Sequence, residues 1–254
     1  MSDYVVAIIQ ARMNSERLPG KVMKKTLGKP LLFYLTERIK KCGMVDKIVV
    51  ATTKAIQDNL IVDFCNENDL KYYRGSENDV LSRFKEAATE NNANIIVRIC
   101  ADSPLLDYRI IDQMINEFKG NKHNCDYLSN TIDQTYPLGM NVEVFSVNSL
   151  IIANKNAKSK YDREHVTPYI IYEKELFKII KKDYTKNLFH IRLTVDEQND
   201  FDLIDILIKN IYPKKRDFSL EDILLFLKEN KKLLKINGHI KQRHLFYNQE
   251  KKSD

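Results

Sequence analysis

The 254-residue sequence predicts an α/β fold with a mostly parallel central sheet and helices on both faces. Runs rich in Val and Ile recur at about 4–10, 46–52, 94–99 and 141–145, each the length of one buried strand. Helical periodicity fills the intervals, at about 30–42, 56–69, 78–90 and 107–119. The polar residues gather just past the apolar runs, where open parallel sheets bind their ligands.

The elements follow in order. Val5-Val6-Ala7-Ile8-Ile9 is the first strand, and it breaks into a polar loop carrying Arg12, Arg17 and Lys21. Pro30, following Gly28, suits the first turn of the helix over 30–42. Ser76 is the expected N-cap of the helix over 78–90, with Glu77 and Asp79 at its positive end. Asp107 caps a helix that runs through Phe118 and that Gly120 stops. Beyond about 145 the rhythm changes. A helix at 147–157 and a segment at 161–173 lead to short strands at 176–181 and 189–194, then to helices at 198–210 and 219–235. No repeat or Pro-, Gly- or Ser-rich linker divides the chain. Residues 1–240 therefore read as one domain, and the polar, basic stretch 241–254 as a fraying tail.

Composition removes several function classes. Residues that are 43% hydrophobic can fill a core, yet no apolar run approaches the roughly 20 residues of a membrane span. The start MSDYVVAIIQ lacks the basic region and cleavage site of a secretory signal, so a cytoplasmic protein is expected. Cys42, Cys65, Cys100 and Cys125 form no CxxC pair and read as reduced thiols. The net charge of +6 includes Lys214-Lys215-Arg216 and is not a basic stripe interleaved with aromatics, which argues against nucleic acid. His123, His190, His239 and His244 show no metal-ligand spacing.

Four loops carry the candidate chemistry. The first, Gln10-Ala11-Arg12 through Lys21, is a strand–cationic loop–helix junction of the kind that holds a phosphate chain. It has neither GxGxxG nor GxxxxGK[ST]. The second, Arg98-Ile99-Cys100-Ala101-Asp102-Ser103-Pro104, puts Asp102 just past a buried strand, as a Mg²⁺ ligand or as a turn cap. The third, Leu193-Thr194-Val195-Asp196, ends in a carboxylate that is either a helix N-cap or the partner of Asp102 at a metal; Asp200 reads as a charge near the helix start. The fourth places Asn141 and Glu143 on one face of a strand, a candidate acceptor surface, joined by Arg163-Glu164-His165 as either acceptor contacts or an ion-paired helix start.

These stretches have a family likeness. AIIQARMNSERLPGKVM, KIVVATT, YRGSENDVLSRF, VRICADSPLLD, DYLSNT, YPLGMNVEVF, REHVTPYI and RLTVDEQNDF, in that order over about 4–205, resemble the SpsF-type cytidylyltransferases of spore coat polysaccharide biosynthesis. That group is similar to the acylneuraminate and 3-deoxy-manno-octulosonate cytidylyltransferases. The resemblance implies a Rossmann-like nucleotidyltransferase fold and a reaction that joins a nucleotide to a sugar, sugar acid or sugar or polyol phosphate with loss of pyrophosphate. It implies Arg12 and Lys21 on the triphosphate with Arg17 nearby, Mg²⁺ on Asp102 and Asp196, and Arg74 and Ser82 near base and ribose. Gln10, Ala11 and Arg98 border the same nucleotide; Asn141, Glu143, Arg163, Glu164 and His165 face the acceptor. CTP is the implied donor, and a homodimer is expected by analogy.

Two departures bear on the acceptor. Relatives often read T-G-D-C-P where this chain has Cys100-Ala101-Asp102-Ser103-Pro104, and D-G-L-D-V-E-V-F where it has Leu138-Gly139-Met140-Asn141-Val142-Glu143-Val144-Phe145. The aspartate at 102 is kept; two acidic positions become Leu138 and Asn141. The alternative function, a metal-dependent glycosyltransferase with a nucleotide-sugar donor, is disfavoured because such a donor needs no cradle for departing pyrophosphate.

Overall fold

The chain builds a seven-stranded sheet around its first strand. We describe residues 3–241 of a computed structural model. In chain order the elements are β1 Val5–Gln10, β2 Lys25–Thr26, β3 Lys29–Pro30, α1 Leu31–Ile39, β4 Lys47–Thr53, α2 Asn59–Glu67, β5 Lys71–Gly75, α3 Val80–Glu90, β6 Ile95–Cys100 and α4 Tyr108–Gly120. Then come β7 Tyr127–Ser129, β8 Glu143–Ser146, α5 Val147–Asn156, α6 Lys160–His165, α7 Pro168–Tyr172, β9 Ile179–Lys181, α8 Gln198–Ile211 and α9 Leu220–Glu229.

The sheet runs β5-β4-β1-β6-β8-β7-β9, and only β8 is antiparallel to its neighbours. Alternation along the central strands supplies both cores. Val5, Ala7 and Ile9 of β1 pack with Leu35 of α1, Ile111 of α4, Leu203 of α8 and Ile223 of α9. Val6 and Ile8 face Leu81 and Phe84 of α3, Leu150 of α5 and Ile170 of α7. Helices cover both faces, as the alternating pattern predicts.

From β1 the chain winds outward to β4 and β5, then crosses back to β6 on the other side of β1. The reversal leaves a crevice beyond the carboxyl ends of β1 and β6, the place where a doubly wound sheet binds its ligand. The register Gln10↔Cys100 and the bond from Ala101 N to Gln10 O, 3.1 Å, bring the first and second candidate loops side by side.

Several boundaries differ from expectation, each for a local reason. Asp79, not Ser76, caps α3 through the Ser82 amide at 2.9 Å; the Ser76 hydroxyl accepts from Asp79 N one turn earlier. Gly120 stays helical and α4 is capped at Asn121. Pro30 is the N-cap of α1, not its first helical residue. The segment 161–173 divides into α6 and α7 at Val166, whose φ of 73° and ψ of −55°, with Thr167 N on His165 O at 2.9 Å, form a classic γ-turn. The expected strand at 189–194 begins as a turn at 189–190 and pairs only through an isolated bridge, Leu138↔Arg192. β5 and β7 went unexpected because one is a charged edge strand and the other is three residues long. The expectation for 241–254 lies outside the described residues beyond 241.

Candidate active site

The cationic loop from Gln10 to Lys21 is shaped by its backbone and by one buried carboxylate. Gly20 N bonds Met13 O at 2.8 Å, closing the loop, and Gly20 turns it at φ 70°, a left-handed conformation that glycine adopts without strain. Asp58 lies buried beneath. Its carboxylate accepts from Met13 N at 2.7 Å, Thr53 N at 3.0 Å, Thr53 Oγ1 at 2.6 Å and Thr52 Oγ1 at 3.0 Å. Burial alone would raise its pKa, but the donors outweigh it and hold the carboxyl below the ordinary range. On the outer side Glu77 reaches Arg12 at 3.8 Å and Asn14 at 3.1 Å. The result is a preformed strand–loop–turn with Arg12 half-exposed at its rim.

The loops after β6 and before α8 converge by backbone docking. Val195 N bonds Asp102 O at 2.8 Å, and Thr194 Oγ1 reaches the same carbonyl at 3.2 Å. A second contact seats the preceding strand: Leu138 N on Ile191 O at 3.0 Å and Leu193 N on Leu138 O at 2.8 Å. Gly139 makes this approach possible. Its φ is 92°, and a Cβ there would lie 2.6 Å from the Leu193 carbonyl carbon and oxygen.

Asp196 thereby stands beside Asp102, and one ammonium joins them. Lys21 Nζ is 2.9 Å from Asp102 Oδ2 and 2.9 Å from Asp196 Oδ1. Arg17 meets Asp196 at 2.9 Å and Glu197 at 3.7 Å. Burial opposes the charge on Lys21, but the two carboxylates overcome it and raise its pKa. Burial likewise opposes the charge on Asp196, and Lys21, Arg17 and Arg192 outweigh it, so its pKa falls. The Asp196 contribution to stability is present above the ordinary carboxylate range and lost as pH drops. The Lys21 contribution is present below 10.5 and lost as pH rises past its raised value. Lys21 and Asp196 therefore stay charged across the neutral range.

Asp196 is not the N-cap of α8. Glu197 is, in a capping box with Asp200. Asp200 is not a helix-end surface charge either: it is 0% exposed and grips Arg192 with both oxygens, at 3.1 and 2.9 Å. It also accepts from Asp196 N at 3.0 Å, Glu197 N at 3.1 Å and Asn237 Nδ2 at 2.9 Å. The Arg192–Asp200 pair fixes the backbone from which Asp196 projects. Its sequence signal was the arginine inside the expected strand, four residues before Asp196, and the aspartate four residues after it.

The other candidates divide. Arg98 bonds Gln10 Oε1 at 3.3 and 3.1 Å and pairs with Glu143 across the β6–β8 ladder. Glu143, 6% exposed, also accepts from Tyr127 OH at 2.5 Å and Thr167 Oγ1 at 2.6 Å. Glu143 is thus a buried hub joining the sheet to the Val166 turn. Arg74 is held by Thr53 O, Ala55 O and Asn59, and the Ser82 hydroxyl turns to Glu86 at 3.2 Å. Ala11 is buried, with its amide on Ala51 O at 3.1 Å. Arg163 pairs with Asp79 and reaches Asn154 Oδ1 at 3.0 Å, which matches the ion-paired helix start. Glu164 and His165 are exposed on α6, and Asn141 lies half-buried just before β8.

Among the described residues no group of three or more His, Cys, Asp or Glu could hold a metal. Asp102 and Asp196 are two hard oxygen donors beside the cationic loop that carries Arg12, Arg17 and Lys21. That set suits Mg²⁺, which takes one or two carboxylates and completes its shell with phosphate oxygens and water. The four cysteines are free, and burial pushes the Cys100 thiol up to about 12, so a thiolate nucleophile is not available there.

A protein-family model described as cytidylyltransferase matches residues 6–252. The chain belongs to the cytidylyltransferase family. The spore coat polysaccharide biosynthesis protein SpsF of Bacillus subtilis is 30% identical over 233 residues, 89% of this chain and 95% of SpsF. A 3-deoxy-manno-octulosonate cytidylyltransferase of Syntrophobacter fumaroxidans is 32% identical over 120 residues, 47% of this chain and 48% of that one. Among solved structures, a cytidylyltransferase from Leptospira borgpetersenii superposes with a TM-score of 0.87 at 31% identity, covering 91% of this chain and 96% of that one. The family membership and this superposition make the fold a Rossmann-like nucleotidyltransferase and the protein a pyrophosphate-releasing cytidylyltransferase. No helix among the described residues is long and apolar enough to cross a membrane.

Proposed function

We propose that this cytidylyltransferase moves CMP from CTP to a sugar, sugar acid or sugar or polyol phosphate destined for surface polysaccharide or glycoconjugate, in the cytoplasm and as a dimer. The observation that carries the reading is the meeting of Asp102 and Asp196 on Lys21, beside the loop that holds Arg12 and Arg17. The chain's likeness to SpsF, a spore coat polysaccharide biosynthesis protein, supports a sugar acceptor. Residues 1–240 act as one catalytic domain in this reading.

The acceptor oxygen attacks the α-phosphorus in line and pyrophosphate departs, a reaction that needs positioning and charge neutralisation above all. Arg12 and Lys21 hold the β- and γ-phosphates and neutralise charge as it builds on the leaving group, with Arg17 beside them. Asp102 and Asp196 would hold Mg²⁺, which would supply further neutralisation of charge on the phosphate oxygens. Arg98 and Glu143 brace the acceptor side, where Asn141, Glu164 and His165 form the wall, while Arg163, paired with Asp79, ties α6 to the start of α3. A phosphate-monoester acceptor needs no general base; a sugar hydroxyl delivers its proton to a carboxylate.

Pyrophosphate release tests the proposal. CTP with the right acceptor supports turnover, and ATP, GTP or UTP does not; turnover with every base equally overturns the CTP assignment. Under saturating acceptor, Lys21→Ala loses about 2–4 kcal/mol of transition-state stabilisation, the scale of one preorganised charge. A kcat/KM within a factor of about three of wild type contradicts its place on the leaving group.

A further inference from the structure

Lys21 does two incompatible things if its position is permanent: it fills the gap between the carboxylates that are to hold a metal, and it binds the phosphates. Its ammonium makes equal 2.9 Å bonds to Asp102 and Asp196, and its side chain is 12% exposed. Arg17 takes a further place on Asp196 at 2.9 Å, and Arg192 stands 3.5 Å from its second oxygen. Both carboxylates are thus already paired with cations of this chain.

We infer that Lys21 is an internal counter-ion that closes the Asp102–Asp196 pair to a free divalent cation and opens it only when a nucleotide triphosphate gives the ammonium another anionic partner. This rests on the metal reading above and deepens it by assigning an order of binding. A free cation must displace the ammonium and break two charge-assisted hydrogen bonds with nothing offered in return. A triphosphate lying along the loop offers Lys21 phosphate oxygens in exchange, so Lys21 leaves the carboxylates without losing its charge partners. Lys21 sits at the start of the short 3₁₀ turn Lys21–Met23, anchored by buried Val22, so its backbone stays while its long side chain swings. The carboxylates keep their places, because Asp102 is held through its backbone carbonyl and Asp196 through its backbone amide. Metal and nucleotide binding are then positively coupled, and each raises the affinity for the other by the same factor.

The test is Mn²⁺ binding to the full-length protein, followed by electron paramagnetic resonance and calorimetry, with and without CTP. Lys21→Met removes the charge and keeps the bulk, so it should bind Mn²⁺ alone on the order of tenfold tighter than wild type, the scale of one lost charge-assisted competitor. Adding Asp102→Asn to that variant should abolish the gain. Equal Mn²⁺ affinity in wild type and Lys21→Met overturns the lock and leaves the metal reading standing. No Mn²⁺ at the pair in either protein, even with CTP, overturns the metal reading and the lock with it. Should Lys21→Met fail to fold, the ¹⁵N resonance of the Lys21 ammonium in wild type decides. It should be unmoved by Mg²⁺ alone and moved by CTP with Mg²⁺; movement by Mg²⁺ alone overturns the lock.

Discussion

Asp102→Ala is expected to abolish pyrophosphate release while the protein stays folded. The separation follows from how the residue is used. Its side chain is partly exposed and bonds Lys21 and, weakly, Ser103, while its backbone carbonyl carries the docking of Thr194 and Val195. Alanine keeps that carbonyl. The lost ion pair is partly solvated and one of two on Lys21, so its removal costs at most about 1 kcal/mol of stability. In the proposed mechanism catalysis loses one of two hard-oxygen donors for Mg²⁺. A pyrophosphate assay beside a thermal melt checks both halves. Wild-type turnover in the variant removes Asp102 from the metal site, and an unfolded variant contradicts the docking argument.

Asp200→Ala is expected to produce the opposite pattern, a large loss of stability from a residue that touches no substrate. Asp200 is fully buried and meets both nitrogens of Arg192, the amides of Asp196 and Glu197, and Asn237. Removing it leaves the Arg192 charge buried, though the Asp196 carboxylate 3.5 Å away takes part of the load. Breaking such a pair from one side costs about 3–5 kcal/mol. At this chain length that lowers the melting temperature by roughly 6–20 °C. Arg192 then competes with Lys21 for Asp196, so kcat should fall even where the variant is folded. Denaturant unfolding and kinetics at reduced temperature measure the two effects. A shift below about 1 kcal/mol would show that the pair does not anchor the segment.

The two expectations separate what the sequence made legible from what it did not. Apolar runs placed β1, β4 and β6 within a residue or so, because strands buried on both faces must be continuously hydrophobic. The crevice followed from those strands, and with it Arg12, Lys21 and Asp102, which lie within a dozen residues of a strand end. Asp196 was ambiguous for a physical reason. A carboxylate between an extended segment and a helix caps the helix unless the next residue does, and Glu197 takes that role here through its bond to the Asp200 amide.

The supporting residues were hidden because their partners are far apart in the chain. Asp58 acts on Met13, and Asn237 on Arg192, over separations of 45 residues in both cases. Glu143 shared a strand face with Asn141 in the sequence pattern, but β8 begins only at Glu143, and its register with β6 sets it opposite Arg98. The Val166 γ-turn had no sequence signal at all, since a β-branched residue is the last expected at φ 73°. Thr167, which it delivers to Glu143, was therefore missed as well.

The most direct test of the central claim is anomalous diffraction from crystals grown with Mn²⁺ and a non-hydrolysable CTP analogue. A Mn²⁺ peak bound by Asp102 and Asp196 is expected, with the triphosphate along residues 11–21 and the Lys21 ammonium moved onto it. A triphosphate bound elsewhere, or Lys21 still bridging the two carboxylates beside a bound nucleotide, would contradict it.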